Sequence, residues 1–195
     1  MDHTDISRQQ TRPMAELLRL NASVEAELRL MQLSRARAEE SVAHLATLYA
    51  AASSLSQGIE RRNVPGAIND IFINLIGCEA LATFQVAEGG RELTLLASIG
   101  IDPAPYQVVP FGVGRIGRAA QTGELYLAER ADITPTDPTA CIPLKVDGSV
   151  VGVIAIFRLL PQKAAFEPVD LDLFALLPSL AAAALRCSTP ESGTR

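Results

Sequence analysis

The sequence CIPLKVDGSVVGVIAIF, residues 141–157, decides the fold class of this 195-residue chain. Two apolar segments flank Asp147-Gly148, a dipeptide that is strongly preferred in the two-residue turns of β-hairpins. Both segments are short and apolar, and the second is rich in valine and isoleucine, which favours strands buried in a core. We therefore expect an antiparallel hairpin with strands over 141–146 and 149–157.

A second hairpin is predicted upstream, over residues 82–99. Apolar residues alternate in both of its segments, and the turn Glu88-Gly89-Gly90 separates them. Because successive side chains of a strand point to opposite faces, alternate residues should lie on the same face. The residues expected to share a face are Ala82, Phe84 and Val86 in the first strand, and Leu93, Leu95, Ala97 and Ile99 in the second.

Three helices are predicted around these strands. Asn63 caps the first helix, which ends at Gly77. A shorter helix lies within 111–123, where glycines punctuate the sequence. The last covers 168–187, with a kink expected at Pro178 because proline lacks the helical N–H donor. This order of elements suits a single antiparallel sheet with helices packed mainly on one face.

Three segments of the chain resemble the GAF domain family. The sequence FGVGRIGRAAQTGE, residues 111–124, resembles the family's glycine-rich turn, short helix and closing Thr-Gly-Glu. Residues 93–100 resemble a family strand that ends in Ala-Ser-x-Gly, and residues 141–155 resemble its penultimate hairpin. The resemblance covers about 45–187, with the segments in the family's order. It implies an α+β fold with a GAF-like antiparallel sheet flanked by helices, small-molecule sensing, and frequent parallel dimerisation through the first and last helices.

A long coiled-coil helix is predicted before this domain. Residues 14–57 contain neither glycine nor proline, and apolar residues follow heptad steps from Leu17 to Ala52. A helix of about 40 residues would extend far beyond a compact domain, which favours a parallel homodimer over a helix that folds back. The predicted dimer interface consists of Leu17, Asn21, Val24, Leu28, Met31, Val42 and Leu45.

The sequence thus divides into four predicted segments. Residues 1–13 are polar, end at Pro13 and are expected to form a disordered tail. Residues 14–44 form the coiled-coil helix, and residues 45–187 form the GAF domain. Residues 188–195 are expected to form a second disordered tail.

Composition argues against several classes of function. The net charge is −5 and the isoelectric point about 5.1, without a clustered basic face, which argues against nucleic-acid binding. The three cysteines are widely spaced and form neither a disulfide framework nor a metal-ligand pattern. The sequence has no secretion signal and no uninterrupted apolar run of membrane-spanning length. We expect a cytoplasmic protein without membrane insertion, bound metal or cofactor.

No catalytic residues are predicted. The sequence GVGRIG, residues 112–117, satisfies the GxGxxG pattern, but it does not lie in a βαβ unit, so its glycines are interpreted as allowing tight turns. Cys78, Cys141 and Cys187 are interpreted as ordinary free cysteines, which are most often small buried hydrophobes. Only two histidines are present, which makes a catalytic triad or a histidine metal site implausible.

A ligand-binding face is predicted by analogy with the fold alone, on the sheet beneath residues 114–120. The segment from Leu127 to Ala140 is shorter than is usual in the family and contains two prolines. The pocket is therefore expected to be small, partly open and poorly selective. Its predicted lining residues are Phe84, Ser98, Ile116, Ala119, Tyr126 and Cys141.

The leading functional hypothesis is a non-catalytic, bacterial-type signalling or regulatory protein. It would be a homodimeric GAF module that binds another signalling protein and also a small molecule. One alternative is a ligand-free dimeric scaffold. The other, implied by resemblance to one GAF branch, is a free methionine sulfoxide reductase that uses cysteines around the pocket.

Overall fold

The protein, described by a computed structural model, combines a long helix with one antiparallel sheet. The structure describes residues 3–128 and 136–188, with the side chains of residues 17, 19–128 and 136–187. In chain order the elements are α1 (His3–Glu60), α2 (Val64–Ile76), β1 (Cys78–Val86), β2 (Glu92–Ile99), a 3-10 turn (Ala104–Tyr106), β3 (Val108–Pro110), α3 (Gly114–Thr122), β4 (Tyr126–Leu127), β5 (Ala140–Val146), β6 (Ser149–Leu159) and α4 (Pro168–Ser188).

The six strands form a single antiparallel sheet in the order β3-β2-β1-β6-β5-β4. Both predicted hairpins are present, as β1–β2 and β5–β6. Asp147 and Gly148 have φ angles of 52° and 80°, the left-handed values that a tight two-residue hairpin turn requires. The predicted α+β class, with an antiparallel sheet and flanking helices, is confirmed.

The sheet is covered on both faces, and each face has its own apolar cluster. The helix-side cluster contains residues of α2 and α4, together with Ala51 and Leu55 from the last turns of α1. The α3-side cluster lies on the opposite face, where α3 packs mainly on β5 and β6. The two clusters share the central strands, because alternate residues of β6 point to opposite faces: Ile154 and Ile156 to the first, Val153 and Ala155 to the second.

A bulge in β2 interrupts the alternation of side chains that the sequence predicted for this strand. The pairing register of β1 with β2 shifts after Thr83, which pairs with Ala97, while Phe84 pairs with Leu95. Leu96 is therefore the extra residue between two successive pairs, and an extra residue reverses the facing of the side chains beyond it. The predicted shared face consequently does not run the whole length of the strand.

Helix α1 differs at its start from the sequence-based expectation. It begins at His3, so the tail predicted for residues 1–13 is corrected for His3–Pro13. A proline inside a helix removes its own N–H bond and crowds the carbonyl four residues earlier, which strains or kinks a helix without always ending it. The ten residues before Pro13 include no glycine that would end the helix. The chain divides into two compact units between Ala46 and Thr47, and α1 contributes to both. The tail predicted for 188–195 lies, except for Ser188, outside the described residues.

Helix α4 is held at its start by a buried carboxylate. The Asp170 side chain accepts hydrogen bonds from the Glu167 backbone N–H and from the Lys163 ammonium, both at 2.7 Å. This arrangement satisfies a backbone donor at the helix start and neutralises the buried charge. Pro178 lies inside α4 without ending it. By length and composition α4 could cross a membrane, but half of it is buried in the core, as in a core helix.

One polar pair is enclosed between α2 and β1. The Thr83 hydroxyl donates to the Asn69 side-chain oxygen at 2.7 Å, and both residues are buried. If the Asn69 side-chain oxygen loses its donor, it stays buried without a hydrogen bond. The free energy spent on removing this oxygen from water is then no longer offset. We expect Thr83→Val to lower the free energy of unfolding by about 1–3 kcal/mol, measured by urea denaturation of the whole chain.

The control for this substitution is Thr94→Val, the same change at an exposed position of β2. It should alter the free energy of unfolding by no more than about 0.5 kcal/mol. Replacing both buried partners, in Asn69→Leu with Thr83→Val, should restore part of the loss. Equal effects of the buried and exposed substitutions would contradict a structural role for the Asn69–Thr83 bond.

Candidate functional site

Glycines fix the position of α3 on the sheet. Gly112 and Gly114 have φ angles of 77° and 62°, which favour glycine. A side chain on Gly117 would collide with the carbonyl oxygen of Pro110, so a residue without Cβ is required there. Each glycine of the GxGxxG pattern thus has a local structural reason, in agreement with the interpretation as tight turns.

Five of the six predicted ligand residues belong to the α3-side cluster or pack against it. Phe84, Ile116, Ala119 and Cys141 are buried members, and Tyr126 is a partly buried neighbour. The sixth lies beyond the bulge of β2: Ser98 pairs with Ala82, which places it on the same face of the sheet.

These six residues share a face but do not line one common cavity. Phe84 and Cys141 are fully buried and fill the core. Ile116 lines a cavity of about 210 Å³, termed here the α3 cavity. Ala119 and Tyr126 line a neighbouring cavity of about 180 Å³. The six residues predicted from sequence therefore lie on one face of the sheet, and at least two of them fill its core. Ligand binding on this face stays a prediction.

Arg115 organises the polar part of the α3 cavity. Its guanidinium donates to the Pro138 carbonyl oxygen at 3.2 Å and lies 3.7 Å from the Asp137 carboxylate. The guanidinium carbon also lies 5.3 Å from the centre of the Tyr126 ring, within range of a cation–π contact. Arg115 thus connects the first turn of α3 to the segment that leads into β5.

Tyr106 holds the same segment from the other side. Its hydroxyl donates to the Thr136 carbonyl oxygen, and its ring contacts Phe157 edge-on at 5.1 Å between centroids. Burial raises the pKa of Tyr106 above its ordinary value, and the negative charge of Asp137 raises it further. The hydroxyl is therefore a neutral donor at physiological pH.

The α3 cavity is small, and charges of both signs lie at its wall. The 3-10 turn, β3, the start of α3 and Asp137–Pro138 enclose it. Its volume of about 210 Å³ is below the roughly 300–1,000 Å³ of pockets that hold drug-sized ligands. A ligand of a few heavy atoms could reach both Arg115 and Asp137.

Sequence analysis did not select Arg115, Asp137 or Tyr106 as site residues. Each is an ordinary surface-type residue in sequence, and only the fold brings residues 106, 115 and 137 together. The one available signal was the position of Arg115 directly after the glycine pair that begins α3. In the described ranges 3–128 and 136–188, no three His, Cys, Asp or Glu side chains are grouped as metal ligands would be.

Two of the three cysteines are buried away from solvent. Burial raises the pKa of Cys141 to about 12, although Arg115 lowers it and Asp137 raises it in smaller measure. Burial likewise raises the pKa of Cys78 to about 12, with Lys163 lowering it and Asp170 raising it. Because the thiolate is the nucleophile, neither side chain is activated for attack.

Comparison with known families is decisive for the assignment. The sequence profile of the GAF domain matches residues 70–187, which is more than half of the chain. The chain belongs to the GAF domain family. GAF domains commonly mediate signalling and ligand binding. No match to a curated protein was found.

Solved GAF structures have the same fold at low sequence identity. A methyl-accepting chemotaxis protein fragment, residues 122 to 287, matches with a TM-score of 0.56 and 19% identity, covering 71% of this chain and 96% of that one. The GAF domain of an Acinetobacter phosphoenolpyruvate-protein phosphotransferase matches with a TM-score of 0.57 and 15% identity, covering 71% and 92%.

An enzyme is among the structures similar to this GAF domain. Free methionine-R-sulfoxide reductase from Neisseria meningitidis, solved with its substrate, matches with a TM-score of 0.56 and 19% identity, covering 73% of this chain and 87% of that one. At such identities the similarity establishes the fold alone. Whether this chain has a catalytic activity must therefore be judged from its own residues.

The cysteine environments lead to a labelling test. At pH 8 we expect brief iodoacetamide treatment of the native chain to modify Cys187 alone, because only this thiol is exposed and the other two stay protonated. Intact mass should show one adduct on the native chain and three after unfolding. The Cys187→Ser variant should take none when native. Labelling of native Cys141 as fast as Cys187 would contradict the raised pKa and provide a candidate nucleophile.

Proposed function

We propose that this protein is a non-catalytic, cytoplasmic regulatory module in which a parallel pair of α1 helices joins two GAF units. In this proposal the protein acts by binding another signalling protein and, in the α3 cavity, a small molecule. It requires neither metal nor nucleic acid. The observation that carries the proposal is the unpartnered apolar stripe on α1.

Most heptad positions of α1 are apolar, and their side chains are exposed in the single chain. Leu28 and Met31 expose 55% and 73% of their surface, and the rest of the stripe behaves alike. A continuous apolar stripe on an isolated helix is unfavourable in water, whereas pairing of two such stripes buries it. Exposed members at predicted interface positions are Leu17, Val24, Leu28, Met31, Val42 and Leu45.

The two polar residues of the stripe have partners within their own helix. Asn21 donates to the Glu25 carboxylate at 3.3 Å, and Arg35 pairs with Glu39 at 2.7 Å. In a parallel pair, residues at the same heptad position meet across the seam, so two Arg35 side chains would approach each other. The two Glu39 carboxylates would offset that repulsion, which makes the parallel arrangement tolerable.

The same helix provides a mechanical connection to the GAF unit. Helix α1 continues without interruption from the stripe to Glu60. Its last turns place Ala51 and Leu55 in the helix-side cluster, and Gly58 lies against Ala67 of α2. A repacking of that cluster would therefore shift α1 itself, which is how a sensor domain can act through a paired helix.

A small polar ligand is the second part of the proposal. Arg115 and Asp137 supply charges of opposite sign at the wall of the α3 cavity. A ligand there would compete for contacts that hold Thr136–Pro138. If no small molecule raises the melting temperature of the purified chain, the ligand-free scaffold becomes the better description.

Sulfoxide reduction is less well supported. The GAF enzymes to which this hypothesis refers need a cysteine nucleophile near the pocket. Cys141 belongs to the α3-side cluster but is fully buried, and its pKa is raised to about 12. Cys187 is exposed at the end of α4, outside the α3-side cluster.

The paired-helix proposal is tested by charge substitution in the stripe. We expect Leu28→Glu with Met31→Glu to convert a dimer into a monomer, because four carboxylates would face one another in the seam. Sedimentation velocity measures the change directly.

The matched control is Leu30→Glu with Leu33→Glu. These leucines are 66% and 60% exposed, but at neighbouring heptad positions that point away from the seam. This variant should remain dimeric. Equal sedimentation of the two double variants would contradict the proposed interface.

A further inference from the structure

A second cavity lies at the end of β6, and its lining residue Thr139 directly follows Pro138 of the α3 cavity. It has a volume of about 500 Å³, within the roughly 300–1,000 Å³ typical of small-molecule sites. The end of β6, the residues 160–166 that follow it, and the first turn of α4 form its walls, and β4 closes one side. We term it the β6–α4 groove.

The lining of the groove is mainly aliphatic and aromatic. Leu127, Leu159, Leu160, Phe166 and Leu171 contribute apolar surface. The charged side chains among the described lining residues are Arg158 and Lys163, which are both cations; none is a carboxylate. Both cations are paired with carboxylates outside the lining, Lys163 with Asp170 and Arg158 with Glu79, so a ligand would use their remaining N–H donors. Apolar walls with such charged donors match an amphipathic anion.

Lys163 is held in a fixed position at the groove wall. Its ammonium donates to the Ile76 carbonyl oxygen at 2.6 Å and to Asp170 at 2.7 Å. The backbone beside it is fixed as well, because the Leu160 N–H donates to the Gly77 carbonyl at 2.8 Å. An ammonium group has three donors, so one remains for a ligand.

Arg158 adds a second source of donors. Its guanidinium bonds the Gly100 carbonyl oxygen at 2.9 Å and lies 3.7 Å from Glu79. A guanidinium carries five N–H donors, so these contacts leave others available. The two cations are therefore preorganised by their protein contacts before a ligand arrives, which reduces the ordering cost of binding.

We infer that the β6–α4 groove binds a medium-chain aliphatic carboxylate, with its head at Lys163 and Arg158 and its chain along the apolar wall. This site is separate from the α3 cavity, and it does not depend on the proposed dimer. A ligand head at Lys163 would contact the residue that ties the end of α2 to the start of α4.

Calorimetric titration of the full chain with decanoate tests the inference. We expect saturable binding of one decanoate per chain below its micelle concentration. Octanoate should bind about fifteenfold more weakly, since it lacks two methylenes and each buried methylene contributes roughly fourfold. Decanol, which has the same chain without charge, should bind at least about tenfold more weakly because it loses the charge-assisted bonds.

Two substitutions in the first turn of α4 locate the site. Leu171 lines the groove and is 43% exposed, whereas Val169 is 49% exposed and is not among its lining residues. Leu171→Asp should weaken decanoate binding at least about tenfold, and Val169→Asp should leave it unchanged. Both changes add an acid near a helix start, where it is tolerated.

Several results would overturn the inference. These are the absence of saturable decanoate binding, equal binding of decanoate and decanol, or equal loss in both variants. If Leu171→Asp instead lowers the sedimentation coefficient of the ligand-free chain, the groove is a contact between copies and the inference fails. The dimer itself is tested by the α1 variants, so failure here and failure there are distinguishable.

Discussion

The antiparallel pairing of β1 with β6 is the interaction on which the rest of the structure depends. Over residues 80–84 and 152–157 neither strand has a face in contact with water. Gly152 permits this close pairing, since a side chain there would collide with the Phe84 carbonyl oxygen. A sheet that is apolar on both faces at its centre must be covered twice. Helices α2 and α4 with the end of α1 cover one face, and α3 with its flanking turns covers the other.

The fold was predictable where local chemistry and apolar pattern agree. The Asp147-Gly148 turn, the Asn63 cap and the glycines around α3 all occur as the sequence indicated. The bulge at Leu96 was not predictable, because it depends on how β2 pairs with its neighbour rather than on its own alternation. The early start of α1 was missed because Pro13 was interpreted as the boundary between a tail and the helix, whereas the helix continues through Pro13.

The candidate site was predictable as a face but not as a set of polar groups. Analogy with the fold grouped Phe84, Ile116 and Cys141, and these three residues do belong to one buried cluster. The sequence cannot indicate that Arg115 reaches Asp137 and Pro138, since that contact depends on the path of the chain between α3 and β5. The β6–α4 groove also has no signature in the sequence, because its cavity depends on how residues 157–171 fold back beside β4 and β5.

The function proposed for this protein depends on two α1 helices that pair in parallel and in register. Spin labels at Arg19→Cys and Glu40→Cys, in a chain whose native cysteines are replaced by Ala or Ser, test this pairing most directly. Both positions lie on the outer side of the predicted heptad, and paired helices lie about 8–10 Å apart. Electron–electron resonance should give the same short intermolecular separation at both positions. A long separation at either position would indicate an antiparallel or shifted pair, because identical sites then lie apart along the helix axis, and no intermolecular coupling would contradict pairing through α1.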